Sequence, residues 1–115
     1  MGENMILGLS FVMLGASDVE RTVEFYRDRL GLKQLTTLEN FVFLDAGGAT
    51  LVVTGELADG QVEFVFGAES VAKAYEHFKA SGIAFINEPR IVSDDKWAVN
   101  FRDPAGHSLS FYGAR

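Results

Sequence analysis

The chain has 115 residues, no cysteine, a hydrophobic content of 48% and a formal net charge of −6 at pH 7. This length suits one compact domain with its own core, and a chain without cysteine has no disulfide, thiolate nucleophile or sulfur-ligated zinc. The acidic balance argues against nucleic acids and anionic membranes as partners, and no apolar run reaches the roughly 18 residues of a membrane span. Because the start of the chain has no signal-peptide pattern, we expect a cytoplasmic protein.

The first half of the chain predicts the order β-α-β-β-β. Residues 6–14 form a short, nearly continuous apolar run, which is typical of a strand buried on both faces. Ser17, followed three residues later by Glu20, predicts a helix start with Ser17 as the cap. Gly31 is expected to end that helix. Three further strands are predicted at 33–38, 39–44 and 50–54.

The second half predicts the same order. A strand is expected at 61–66, Ser70 is expected to cap a helix, and Gly82 is expected to end it. Further strands are predicted at 83–86, 97–101 and 108–112, and the last two are joined by the turn Asp103-Pro104-Ala105-Gly106. Residues 55–60 link the halves, and the polar stretch 87–96 is predicted as a connection.

A repeat in the sequence supports two copies of one unit. Phe43–Gly55 aligns without a gap with Phe101–Gly113, 58 residues later, and the pair shares Phe, Asp, Gly, Leu and a closing Gly. Ordinary composition would give about one identity in such a window. We therefore predict one domain, 1–115, with units at about 5–55 and 61–113. The predicted fold class is α+β: two tandem β-α-β-β-β units form a curved mixed sheet around a cleft, paired within one chain or between two.

The turn Asp103–His107, the segment Glu24–Leu32 and the paired unit order resemble the vicinal oxygen chelate superfamily. That superfamily includes glyoxalases, bleomycin-resistance proteins and ring-cleaving dioxygenases. The resemblance covers essentially the whole chain and implies a homodimer and, in the family's enzymes, a divalent metal with four ligand positions. In this sequence those positions fall on Phe11, Val52, Glu63 and Ser110. Phe11 and Val52 have no donor atom and Ser110 has only a neutral hydroxyl, so Glu63 is the only ligand candidate and no metal or other cofactor is expected.

Alternation along the strands predicts which side chains face the cleft. In the strand around Glu63, the alternating residues Val62, Phe64 and Phe66 are expected under the helices. Trp97, at a strand start, is a candidate for stacking on a planar or cationic ligand, although ordinary packing at a strand end is favoured. The predicted ligand-binding residues are Phe11, Met13, Val52, Glu63, Val65, Trp97, Ser108, Ser110 and Tyr112. The competing interpretations are that Glu63 reaches solvent, that Trp97 packs at a strand end, and that dimer packing fills the cleft.

These features favour a metal-independent binding protein of the bleomycin-resistance type. It is expected to be a homodimer that sequesters an apolar or aromatic small molecule, cationic or neutral, without a catalytic residue. Whether the chain is an enzyme stays open, with a non-enzyme favoured. The alternative is a metal-dependent lyase, isomerase or dioxygenase of the same superfamily with a rearranged site, in which Glu63 acts as base or ligand. A third hypothesis is an interaction module whose own side chains fill the cleft.

Overall fold

The computed structural model describes residues 5–115. Met1–Asn4 lie outside the described residues, and with them the chain start on which the signal-peptide expectation rests. The strands and helices are β1 (Gly8–Gly15), α1 (Val19–Glu24), β2 (Lys33–Leu38), β3 (Phe41–Asp45), β4 (Thr50–Thr54), β5 (Val62–Ala68), α2 (Val71–Ala80), β6 (Arg90–Ser93), β7 (Lys96–Arg102) and β8 (Ser108–Gly113). A π-helical segment, Phe25–Arg29, continues α1. Among residues 5–115, neither helix is long and apolar enough to cross a membrane.

Residue contacts divide the chain into two compact units. The first unit is Phe11–Glu63, and the second is Phe64–Arg115 together with the described residues up to Ser10. Along the chain the order β-α-β-β-β occurs twice, which confirms the predicted α+β class and the repeated order.

The first unit has the strand order β2-β3-β4-β1, in which β1 is parallel to β4 and the other pairs are antiparallel. One face of this sheet packs against α1 through an aliphatic core of Ala16, Val23, Val42, Leu44 and Val53. Burial of such side chains stabilises the unit by about 1.5–3 kcal/mol for each large one.

The start of α1 differs from the prediction. Asp18 is the N-cap, and its carboxylate accepts a hydrogen bond from the Arg21 N–H at 3.1 Å. The predicted cap, Ser17, instead donates its N–H and its hydroxyl to the carboxylate of Asp59, at 2.7 and 2.9 Å. These two hydrogen bonds favour the ionised form and lower the pKa of Asp59. Gly31, at φ 81°, ends the helical region as predicted.

The second unit has the strand order β5-β8-β7-β6. Its core is rich in aromatic residues and consists of Ala68, Val71, Ala74, Tyr75, Val99, Phe101 and Phe111. Ser70 caps α2 by accepting the Lys73 N–H at 3.2 Å, and Gly82 follows the helix at φ 108°, so both predicted helix ends are confirmed.

Two strand predictions in the second unit were wrong. Residues 83–86 make only a single bridge, between Phe85 and Phe101, and form no strand. The predicted connection 87–96 instead contains β6, which pairs with β7. Pro89 lacks the N–H that a strand ladder needs, so regular pairing begins only after it.

The predicted burial of β1 and β5 also needs correction. Leu9, in the first half of β1, is 50% exposed, so that strand is not buried on both faces. Val62 and Phe64, expected under the helices, are 39% and 36% exposed. Phe66 does pack against the α2 core, as expected.

Candidate functional site

In the first unit, the sheet face opposite α1 is apolar. Val52 of β4 pairs with Phe43 of β3 and with Met13 of β1, so these three side chains share one face. Phe11 is two residues before Met13 and lies on the same side, with its ring edge-to-face against Phe43 at a centroid distance of 6.0 Å. We call this set the apolar face: Phe11, Met13, Phe43 and Val52.

The apolar face is graded in exposure. Val52, in the central strand β4, is 1% exposed, whereas the side chains of Phe11, Met13 and Phe43 are half-buried. The half-buried side chains present hydrocarbon and aromatic surface that a ligand would remove from water, at about 25 cal/mol for each Å² buried. The predicted ligand-binding residues Phe11, Met13 and Val52 are thus brought together by the structure.

In the second unit, the face opposite α2 is polar. Ser110 of β8 pairs with Asn100 of β7, Tyr112 pairs with Ala98, and Ser108 pairs with Arg102. Their neighbours Leu109 and Phe111 point the other way, into the α2 core. We call this set the polar face: Asn100, Ser108, Ser110 and Tyr112. Ser110 is only 3% exposed, so its hydroxyl lies in a buried setting, where a hydrogen bond carries more weight than in water.

Asn87 holds Asn100 in place. The Asn87 Oδ1 accepts the backbone N–H of Asn100 at 2.9 Å, and its Nδ2 donates to the Asn100 Oδ1 at 3.0 Å. The side chain of Asn87 thus occupies the edge of β7 beside Asn100. The sequence-based prediction missed this pair, and Phe43 as well. Asn100 could have been found from the strand pairing, because it lies opposite Ser110. The sequence around Asn87 contains no pattern that predicts its contact with Asn100.

Glu63 and Val65 lie in β5 and point to the same side of that strand, because they are two residues apart. Val65 is 2% exposed and Glu63 is half-buried. The predicted roles of both residues in ligand binding stay predictions.

Trp97 is not brought together with the other predicted residues of β7 and β8. It alternates with Ala98 and packs against the α2 core, on the side opposite the polar face. The Arg115 guanidinium lies over its ring, 5.0 Å from the centroid. These surroundings match the competing interpretation of Trp97 as a packing residue at a strand end, and its predicted ligand contact would have to come from that side.

Comparison with known proteins places this arrangement in a family. Residues 8–111 match the family described as the Glyoxalase/Bleomycin resistance protein/Dioxygenase superfamily. The chain belongs to this superfamily. The metallothiol transferase FosB of Staphylococcus haemolyticus is 24% identical to it over 117 residues, covering 94% of this chain and 84% of that protein.

Solved structures of other proteins have the same fold as this chain. A superfamily member from Vibrio splendidus 12B01 has a TM-score of 0.68 at 19% identity, covering 91% of this chain and 97% of that one. Methylmalonyl-CoA epimerase from Mycobacterium tuberculosis has a TM-score of 0.74 at 14% identity, covering 100% of this chain and 93% of that one. At these identities the likeness shows the shared fold alone.

The metal positions implied by the superfamily resemblance do not fit an ion in this chain. The Phe11 ring packs against Phe43, and Val52 is almost fully buried, so neither supplies an oxygen or nitrogen donor. Within residues 5–115, no three or more His, Cys, Asp or Glu side chains form a group suited to a metal. Glu63 remains the single carboxylate at these positions, and one carboxylate does not make a divalent site.

Proposed function

We propose that this chain is a metal-independent binding protein of the bleomycin-resistance type, which sequesters an apolar or aromatic small molecule. The apolar face carries the proposal, because two positions that the resemblance assigns to metal ligands hold Phe11 and Val52, with Phe43 packed beside Phe11. Sequestration needs affinity and no chemistry, so hydrocarbon and aromatic surface is sufficient.

The chemistry of the apolar face favours a planar ligand. A ring that lies against Phe11 and Phe43 gains area burial and edge or face contacts with both aromatic side chains. Met13 adds a flexible, polarisable side chain that adapts to an irregular ligand edge. Glu63 is the candidate for a cationic ligand group, and the hydroxyls of Ser108, Ser110 and Tyr112 are candidates for hydrogen bonds. A cytoplasmic homodimer remains part of this proposal.

The test is a thermal-shift screen of planar aromatic compounds, neutral and cationic, on metal-free protein, followed by calorimetry on the best compound. Phe11→Ala is expected to weaken binding about tenfold, the scale of one lost aromatic contact. Phe43→Leu keeps the volume better and is expected to weaken it less. Leu30→Ala, at an exposed position after the helical region and so on the other side of the sheet, is the matched control and should leave affinity unchanged.

Two results would refute binding at the apolar face. One is equal affinity for wild type, Phe11→Ala and Phe43→Leu. The other is a screen without any shift, which would favour the interaction-module hypothesis. Elemental analysis is done in parallel, because one tightly held divalent ion per chain would contradict metal independence.

An enzyme is the second candidate, and the names of the similar proteins favour it. One is a metallothiol transferase and another an epimerase. In this alternative the half-buried carboxylate of Glu63 serves as base or as a ligand of a metal-dependent lyase, isomerase or dioxygenase. Glu63→Gln separates the alternatives: loss of turnover supports the enzyme, whereas a 10- to 100-fold loss of affinity confined to cationic ligands, roughly the scale of a charge-assisted hydrogen bond, supports sequestration.

A further inference from the structure

Asp59 and Gly60 form a dipeptide that is prone to a rearrangement of the main chain. The backbone nitrogen that follows an aspartate can attack the side-chain carboxyl carbon, and glycine hinders this attack least because it has no Cβ. The sequence contains one Asp-Gly pair and no Asn-Gly pair. Both residues are exposed, in the stretch 55–60 that links the two halves of the sequence. The chain therefore has one position at which this rearrangement is chemically favoured.

The pair lies at the centre of a tight turn. The Gln61 N–H donates to the Ala58 carbonyl at 3.0 Å, and Gly60 has a φ of 80°. These values match a type II turn, whose third residue has a positive φ and is therefore most often glycine. The turn packs against the end of β1, where a Cβ added at Gly15 would meet the Ala58 carbonyl oxygen. The folded chain thus holds the turn against the main chain of β1.

Both reacting groups of the pair form hydrogen bonds in the folded chain. The Asp59 carboxylate accepts the N–H and the hydroxyl of Ser17, at 2.7 and 2.9 Å. The Gly60 N–H donates to the Gly15 carbonyl at 3.3 Å. The hydrogen bonds from Ser17 favour the ionised carboxylate and lower the pKa of Asp59. A carboxylate is a poorer target for a nucleophile than a carboxyl group, and the Gly60 nitrogen must give up its own hydrogen bond before it attacks.

We propose that Asp59 is a site of spontaneous isomerisation to isoaspartate, and that Ser17 restrains this reaction in the folded chain. In the first step the Gly60 nitrogen bonds to Asp59 Cγ, the carboxyl hydroxyl and the amide hydrogen leave as water, and a succinimide ring forms. In the second step water adds to the main-chain carbonyl carbon of Asp59, and its bond to the Gly60 nitrogen breaks. The chain is then joined through Cγ. This inference does not depend on the proposed ligand-binding function.

Isoaspartate changes the link at the residue that attaches it to the rest of the first unit. The main chain gains one methylene group, and the new carboxylate is bonded directly to Cα. The two hydrogen bonds with Ser17 then lose their geometry, because a hydrogen bond weakens steeply away from its preferred distance and angle. Ser17 lies directly before the N-cap of α1, 42 residues away in sequence. The rearrangement therefore releases the link from the start of α1 as the protein ages.

Ageing of the full chain at body temperature and neutral pH over several weeks tests the proposal. Peptide mapping by mass spectrometry measures isoaspartate at every aspartate. We expect slow accumulation in the wild type, confined to Asp59. Ser17→Ala removes the hydroxyl donor and should raise the rate about tenfold, the scale of one hydrogen bond to a charged group. Wild type in urea should react faster still, because both restraining contacts are then lost.

A matched control separates the lost hydrogen bond from lost stability. Ser70→Ala makes the same change at the N-cap of α2 and should leave the rate at Asp59 unchanged. Asp59→Glu should abolish the signal, because its imide is a larger ring that closes far more slowly. Circular dichroism shows that each variant is folded.

Each part of the proposal has results that would overturn it. Absence of isoaspartate at Asp59 even in urea would overturn the site. Equal rates in wild type and Ser17→Ala would overturn the restraint by Ser17. An equal rise in Ser70→Ala would also overturn it, because lost stability would then explain both variants. Folded wild type that reacts as fast as wild type in urea would show that the fold restrains nothing.

Discussion

The β3–β4 hairpin and the β7–β8 hairpin come from the two copies of the sequence repeat, yet they differ in register by one residue. Asp45 pairs with Thr50, which leaves residues 46–49 as the loop. In the second hairpin Arg102 pairs with Ser108, which leaves residues 103–107. The gapless alignment of the repeat therefore conceals a longer loop in the second copy.

Because of this difference, the aligned side chains of β3 and β7 point to opposite faces of their sheets. In β4 and β8 the aligned residues Val53 and Phe111 both point into the cores beside the helices. The aligned residues Phe43 and Phe101 point to opposite faces, because a slip of one residue turns every side chain of a strand over. Phe43 contacts Phe11 on the apolar face, whereas Phe101 lies in the α2 core. One extra loop residue thus leaves Phe43 on the apolar face, moves Phe101 into the α2 core and sets Asn100 opposite Ser110.

The longer loop is built around Asp103. One carboxylate oxygen accepts the N–H groups of Ala105 and His107 at 3.0 and 2.9 Å, and the other lies 2.8 Å from the His107 Nδ1. Its repeat partner Asp45 accepts one hydrogen bond within the described part of the chain, from the Gly47 N–H. The two aligned aspartates therefore differ in how many hydrogen bonds they make within their loops.

The largest loss of stability is expected when Phe111 or Val53, the core residues at aligned positions of the repeat, is truncated to alanine. Phe111→Ala removes a 1% exposed ring that contacts Phe78, Phe85 and Phe101, and should lower the free energy of unfolding by about 3–5 kcal/mol. Val53→Ala removes two methyl groups at the aligned position and should cost about 2 kcal/mol. Urea unfolding measures both. Equal losses would mean that the aromatic core is no more tightly packed than the aliphatic one.

Gly55 and Gly113, the last residues of the two repeat copies, differ in the space around them. A Cβ added at Gly113 would lie 1.9 Å from the Ala68 carbonyl oxygen, so the main chain itself must move. At Gly55 the added Cβ meets only the Asn40 side chain, at 2.7 Å, and that side chain can rotate away. We expect Gly113→Ala to cost about 3 kcal/mol and Gly55→Ala less than about 1. Thermal melts of the two variants give the answer, and the reverse order would contradict this account.

The smallest effect concerns acid stability. The hydrogen bonds from His107 lower the pKa of Asp103 below its ordinary value. A carboxyl whose pKa is lower in the folded state adds stability above its unfolded pKa of about 3.9, and this is lost as pH falls through the folded value. The Tm difference between wild type and Asp103→Asn should therefore shrink below about pH 4. Asp45→Asn, the same change of charge at the aligned position of the first hairpin, is the control variant. A Tm difference independent of pH would exclude this linkage.

The sequence alone determined the features that depend on residues close together in the chain. Ser70 and Gly82 bound α2, Gly31 ends the first helical region, and the repeated strand and helix order predicts the α+β class. The local patterns also led to the superfamily. Alternation correctly set Ser108, Ser110 and Tyr112 on one face of β8, because the two faces of one strand depend only on neighbouring residues.

Only the tertiary structure decided how distant segments pair. Asp18, not Ser17, caps α1, and Ser17 instead donates its N–H and its hydroxyl to Asp59, 42 residues later. Asn87 bonds through its side chain to Asn100 of β7, just before β6 begins. The one-residue slip of the second hairpin sets Asn100 rather than Phe101 opposite Ser110. Pairing between strands depends on loop length and on competing hydrogen bonds elsewhere in the chain. The pattern within a single strand contains neither of these.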